Sequence, residues 1–122
     1  MNRARYIRWF EEISHRDVPL VGGKNAALGE LYRALRPLGV PVPNGFAITA
    51  EAYRAALKAK GAWERLEKLL SRLDPDDYEA LARTAARARE IVYEAGLPED
   101  VRDEILAAYA ALSRSYGEED LA

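Results

Sequence analysis

The residues with the clearest capacity for chemistry sit together in "PLVGGKNAALGEL", Pro19 to Leu31. Gly22 and Gly23 interrupt an apolar approach, Lys24 follows at once, and the residues after it have the spacing of an amphipathic helix. Glycines at a helix start can leave backbone N–H groups open at a concave turn, where the helix dipole already favours an anion and a lysine adds a full charge. Phosphate is the natural ligand for such a place. A plainer alternative stands beside it, in which Gly22-Gly23 make a tight turn and Lys24 is solvated. The stretch is not a Walker A loop, because the first glycine of G-x-x-x-x-G-K-[ST] would fall at Val18 and its hydroxyl position is Asn25.

Other chemistry-bearing residues point to structure rather than catalysis. His15 is the only histidine and lies in the polar "EISHRD", where a solvated or structural role is expected. The adjacent pairs Glu11-Glu12, Asp76-Asp77 and Glu118-Glu119 diverge on any regular element, which suits helix ends and solvated faces better than acid–base work or a metal site. Arg83, Arg87 and Arg89 crowd one helical stretch; a distant phosphate or, more simply, water would satisfy them. Trp9, Trp63 and the seven tyrosines read as core or interface material. No catalytic residue and no metal ligand is assigned.

The elements that must position these residues are mostly helices. Tyr6 to Phe10 reads as a short strand. From Asn25, the apolar residues Leu28, Leu31, Tyr32 and Leu35 predict a first helix, closed by Pro37 and Gly39. Val40 to Thr49 cannot be helical, because two prolines force extended geometry and Asn44-Gly45 suggests a turn before the strand-like Phe46-Ala47-Ile48. Thr49 is placed to cap a second helix with Tyr53, Ala56 and Leu57, broken near Gly61; Trp63, Leu66, Leu69, Leu70 and Leu73 mark a third. Asp74 as N-cap, Pro75 as first helical residue and Gly96 as C-terminal cap predict a fourth, with a stripe of Tyr78, Leu81, Ala82, Ala85, Ala88 and Val92. Pro98 opens a fifth, with Val101, Ile105, Ala108 and Leu112 on one face and Gly117 at its end. The expected class is helix-rich α+β, with four or five helices and a few short strands.

Composition narrows the partners. At 122 residues the chain is long enough to bury roughly two-thirds of its unfolded surface. Its 18 basic and 20 acidic residues nearly balance, which gives neither the basic footprint of a nucleic-acid binder nor an acidic tail. Cysteine is absent, removing disulfides, thiolate nucleophiles and sulfur-rich metal sites, and this fits a reducing compartment, the cytoplasm by default. No window approaches the ~20 apolar residues needed to span a bilayer, so neither nucleic acid nor membrane is an expected partner.

"VGGKNAALGEL", followed about a helix later by "LGVPVPNGFAITAEAYRAAL", closely resembles the N-terminal segment of the phosphoenolpyruvate synthases, the pyruvate, water dikinases. Pyruvate phosphate dikinases share the Gly-Gly-Lys and the V-P-x-G-F pattern, and Asn25 after the lysine looks more like the synthase branch. The resemblance is specific from Val21 to Leu57, compatible at "RYIRWFEEI" and slight from Gly61 onward. It implies that residues 1–122 form a single, incomplete domain, the N-terminal part of an ATP-grasp-type nucleotide-binding domain. Lys24 matches the family lysine that contacts ATP phosphates, and Gly22 and Gly23 match the loop that lets backbone approach them. ATP and Mg2+ are the cofactors implied for the full-length enzyme, which makes AMP, phosphoenolpyruvate and phosphate from ATP, pyruvate and water through a phosphohistidine on a separate domain. His15 is not that histidine. The sequence closes at "GEEDLA", where the family usually enters a strand that supplies a further arginine, so the chain alone is expected to be inactive and to bind ATP weakly or not at all. The partners implied are ATP and either the remaining domains or a second copy. An alternative is a stand-alone interaction or regulatory module that self-associates or pairs with another chain.

Overall fold

The prolines at 41 and 43 hold residues 40–45 extended, and the chain then enters a strand, Phe46–Ile48 (β2). It pairs antiparallel with Ile7–Trp9 (β1) in the register Ile7 to Ile48, Arg8 to Ala47 and Trp9 to Phe46. The computed structural model describes residues 4–117. Glu118 and Glu119, and with them "EEDLA", lie outside the described residues. The described residues also form six α-helices: Val18–Val21 (α1), Gly23–Leu35 (α2), Ala50–Ala59 (α3), Ala62–Ser71 (α4), Tyr78–Ala95 (α5) and Glu99–Ser115 (α6). Short 3-10 turns occupy Phe10–Glu12, His15–Asp17 and Arg36–Leu38. The class is helix-rich α+β, as expected, with one more helix than predicted because the apolar approach to the glycines, Val18 to Val21, itself winds into a single turn.

The chain divides into two compact units, one built from residues up to Ala52 and from Glu99 on, the other from Tyr53–Pro98. In the first, Ile13 is fully buried and gathers Val21, Ala26 and Ala47, with Phe10 and Leu20 packed on them. In the same unit α6 packs on β1: the Glu104 carboxylate accepts from the Tyr6 backbone N–H at 2.8 Å, and the Tyr6 hydroxyl donates to Asp100 at 3.2 Å. Burial and then the Asp100 carboxylate raise the Tyr6 pKa, against the lowering effect of Arg5. In the second unit α4 and α5 form a hairpin over Leu57, Ala62, Ile91 and Ala95, with Leu66, Leu69 and Val92 packed against them.

Several local expectations need correction. Helix α5 starts at Tyr78, not Pro75: the Asp77 carboxylate caps it by accepting from the Ala80 N–H at 3.1 Å, while Asp74 accepts from the Asp76 N–H in a separate turn. The predicted α5 stripe is rotated as well. Tyr78 is 80% exposed and Leu81 stands in solvent, whereas Ile91 and Ala95 are buried. On α2 the buried face is Ala26, Gly29 and Tyr32, and Leu31 points to water. Helix α4 ends at Ser71, short of Leu73. The Thr49 hydroxyl is buried without a hydrogen-bond partner and caps nothing. Gly45 makes no left-handed turn; it is glycine because a Cβ there would lie 2.7 Å from the Phe10 ring. Gly96, by contrast, closes α5 as expected.

Candidate functional site

The junction of α1 and α2 is built by its buried neighbours. Val21, the last residue of α1, and Ala26, in the first turn of α2, both pack around Ile13. Between these anchors only four residues remain, so the chain must reverse direction sharply. Gly22 does so at φ +85°, ψ 163°, a backbone region that side chains disfavour strongly, and its N–H closes α1 onto the Val18 carbonyl at 2.8 Å. Its carbonyl then accepts from the Ala26 N–H at 3.0 Å and starts α2.

That geometry leaves the start of α2 open. The first intrahelical bond is made by Ala26, so the N–H groups of Gly23, Lys24 and Asn25 have no helical acceptor, and no side chain caps them. A Cβ on Gly22 or Gly23 would meet nothing within 4 Å, so no other element crowds these two residues. Lys24 is exposed, and among the described residues its ammonium makes no ion pair or hydrogen bond. The nearest acids in sequence on either side are engaged elsewhere: the Glu30 carboxylate accepts from His15 and Arg33, and that of Asp17 accepts from the Ser14 N–H at 2.9 Å. Three backbone donors at the positive end of a 13-residue helix therefore lie beside an exposed, unpaired lysine. Such a set is chemically suited to a phosphate group; of the residues singled out in the sequence, Gly22 makes the turn and Gly23 and Lys24 are the first two residues of α2.

Asn25 is the residue whose part was missed. Its side-chain amide donates to the Val21 carbonyl at 2.9 Å, tying the two helices across the glycines. The clue available in the sequence was that an amide stands where a P-loop would have a metal-binding hydroxyl; an amide suits a backbone tie.

His15 is placed outside the junction's donor set. Its backbone N–H and its ring Nδ1 both meet the Glu30 carboxylate, at 2.8 and 3.1 Å, and Arg33 reaches the same oxygen at 3.1 Å. The hydrogen bond from the His15 backbone, then that from its ring, hold the Glu30 carboxyl below its ordinary value, with Arg33 adding to the effect. Since a lowered carboxylate pKa stabilises the fold only above the ordinary value, this support fades as pH falls through the lowered one. The histidine is a tether for α2. Of the arginines singled out on α5, Arg87 pairs with Glu90 at 3.0 Å. Among the described residues, no group of three or more His, Asp or Glu side chains could hold a metal ion, and no helix is long and apolar enough to cross a membrane.

Comparison with known proteins places this junction in a family. The family described as "Pyruvate phosphate dikinase, AMP/ATP-binding domain" matches residues 18–122. The chain is 43% identical over 112 residues to phosphoenolpyruvate synthase of Helicobacter pylori, covering 92% of this chain and 14% of that protein. It is 44% identical over 119 residues to the synthase of Pseudomonas aeruginosa, covering 98% and 15%. Against the probable phosphoenolpyruvate synthase of Methanocaldococcus jannaschii it is 39% identical over 117 residues, covering 96% and 10%. The chain thus spans 10–15% of the length of these relatives. The resemblance read from "VGGKN" and "VPNGF" extends along nearly all of the sequence, and the chain belongs to the pyruvate phosphate dikinase AMP/ATP-binding domain family.

Proposed function

We propose that residues 1–122 are the N-terminal, incomplete part of an ATP-binding domain of a phosphoenolpyruvate synthase-type dikinase, ATP-grasp-like in kind, and that the α1–α2 junction is the wall that meets the nucleotide's phosphates. The observation that carries this reading is the open donor set at Gly23, Lys24 and Asn25 inside a segment whose family is described as AMP/ATP-binding. Gly22 and Gly23 let the backbone approach, and Lys24 supplies the charge. The bound nucleotide supplies the phosphoryl group; these residues bind and orient it. Magnesium, under this reading, takes its ligands from other parts of the enzyme, as do the phosphohistidine and pyruvate steps. The partners are ATP and those remaining domains, and the location is the cytoplasm.

Two measurements test the reading. In a longer polypeptide that carries this segment, a charge-assisted contact from Lys24 is worth roughly 1.5–3 kcal/mol, so Lys24→Ala weakens ATP binding about 10- to 150-fold at ~1.4 kcal/mol per decade. Lys58→Ala, on the exposed end of α3, serves as the control and leaves affinity unchanged. Equal titrations for the two variants would reduce "VGGKN" to a turn. Secondly, phosphoryl transfer needs a nucleophile, metal ligands and charge stabilisation around the phosphates, and this reading assigns the chain one loop and one lysine. The purified chain should release no AMP in a pyruvate-dependent assay, and turnover above background would refute the division of labour proposed here.

A further inference from the structure

We propose that the groove between α4 and α5 is a second, independent site for a small, multiply charged phosphate-bearing anion. Arg65 and Lys68 on α4 and Arg72, the helical-conformation residue that caps it, recur at i, i+3 and i+7 and so share one face. They line a groove of about 400 Å³ with Thr84 and Arg87, which sit three residues apart on α5. Leu69 and Ile91 close its floor. All of these residues belong to the unit Tyr53–Pro98.

Charge placement argues for a ligand. The chain as a whole is slightly acidic, at −2, so an accumulation of cations is not a by-product of composition. Like charges at helical neighbour spacing repel and cost the helix stability. Among the described residues, none of the Arg65, Lys68 and Arg72 side chains has an ion pair or hydrogen bond. The acids that could have neutralised them are used elsewhere or stand apart. Glu64, four residues before Lys68 on the same helix, makes no ion pair with it among the described residues; Glu67 accepts from the Trp63 indole at 3.0 Å, Asp74 and Asp77 hold backbone N–H groups, and Glu90 and Glu94 pair with Arg87. Two guanidinium forks, an ammonium and the Thr84 hydroxyl around one concavity can donate to several oxygens of a di- or triphosphate at once, whereas a single carboxylate would leave most of them unmatched. The volume lies within the range of small-molecule sites.

The test is a titration of the purified, isotope-labelled chain with inorganic tripolyphosphate at fixed ionic strength, followed by amide shifts. Saturable shifts should concentrate at residues 65–72 and 84–91, and Arg65→Ala with Arg72→Ala should weaken this binding about tenfold or more, while Arg65→Lys with Arg72→Lys retains most of it. Helix content by circular dichroism should be unchanged in both, since Ala, Lys and Arg are all good helix formers. Lys24→Ala should leave the groove's shifts intact, which separates this site from the α1–α2 junction. Shifts spread evenly over exposed lysines and arginines, or no response to the alanine pair, would mean general screening of surface charge and would overturn the proposal.

Discussion

Gly29 shows most sharply how a single residue can be misjudged from its type. In an exposed helix interior, Gly→Ala would be expected to stabilise by ~1 kcal/mol. Here a Cβ at position 29 would lie 2.6 Å from the Ile13 carbonyl oxygen and 2.7 Å from the Ile13 Cβ, both atoms that cannot swing aside. Gly29→Ala should therefore destabilise the chain by about 1–3 kcal/mol, read as a lower urea midpoint with an unchanged slope. A raised midpoint would show that α2 and the Ile13 segment are not held this close. The sequence made Leu28, Leu31, Tyr32 and Leu35 the obvious inner face, and of these Tyr32 is buried, yet it is the small residues Ala26 and Gly29 that admit Ile13. Periodicity finds large apolar side chains; it is silent about the places where backbone touches side chain. The helix start after Gly22 was legible because its signals are local: a residue free to take positive φ and, straight after it, apolar residues at helical spacing.

At the scale of elements, helix existence was readable and helix phase was not. The run "LDPDDYEALARTAARAREIVYEAG" contains three aspartates, each chemically able to cap a helix, and sequence rules favour Asp74 because Pro75 follows it. The structure instead spends Asp74 on a turn and gives the cap to Asp77. Asp77→Ala should cost about 0.5–2 kcal/mol of stability through the lost cap, while Asp74→Ala should cost a few tenths at most. Thermal or urea unfolding of the two variants decides the matter, and a larger loss at Asp74 would restore the earlier helix start. The α5 stripe failed for a related physical reason. Half its candidates are alanines, which mark either face of a helix equally well, so the hairpin with α4 settled the rotation by burying Ile91 and Ala95. Strand β2 was readable because prolines 41 and 43 leave an extended chain little alternative.

On the scale of the whole chain, sequence gave one domain's worth of residues, while the fold carries two apolar cores that share no residue. One gathers Ile13, Val21, Ala26 and Ala47; the other gathers Leu57, Ala62, Ile91 and Ala95. Each is small, so each depends heavily on its largest members, and truncating a buried isoleucine to alanine costs ~2–5 kcal/mol. If the two units hold themselves together separately, that cost should be felt mainly where it is incurred. Native-state hydrogen exchange is the suitable readout because it reports local opening amide by amide. Ile91→Ala should accelerate exchange through α4 and α5 and leave the most protected amides of α2 close to their original rates. Ile13→Ala should do the reverse, exposing α2 while the α4–α5 hairpin keeps its protection. Should Ile91→Ala unfold its unit outright, the contrast with α2 only becomes larger, so the experiment survives the most severe outcome. Equal acceleration of both regions by either substitution would show one cooperative core, and the division of the chain at Ala52 and Glu99 would then describe contacts without describing stability.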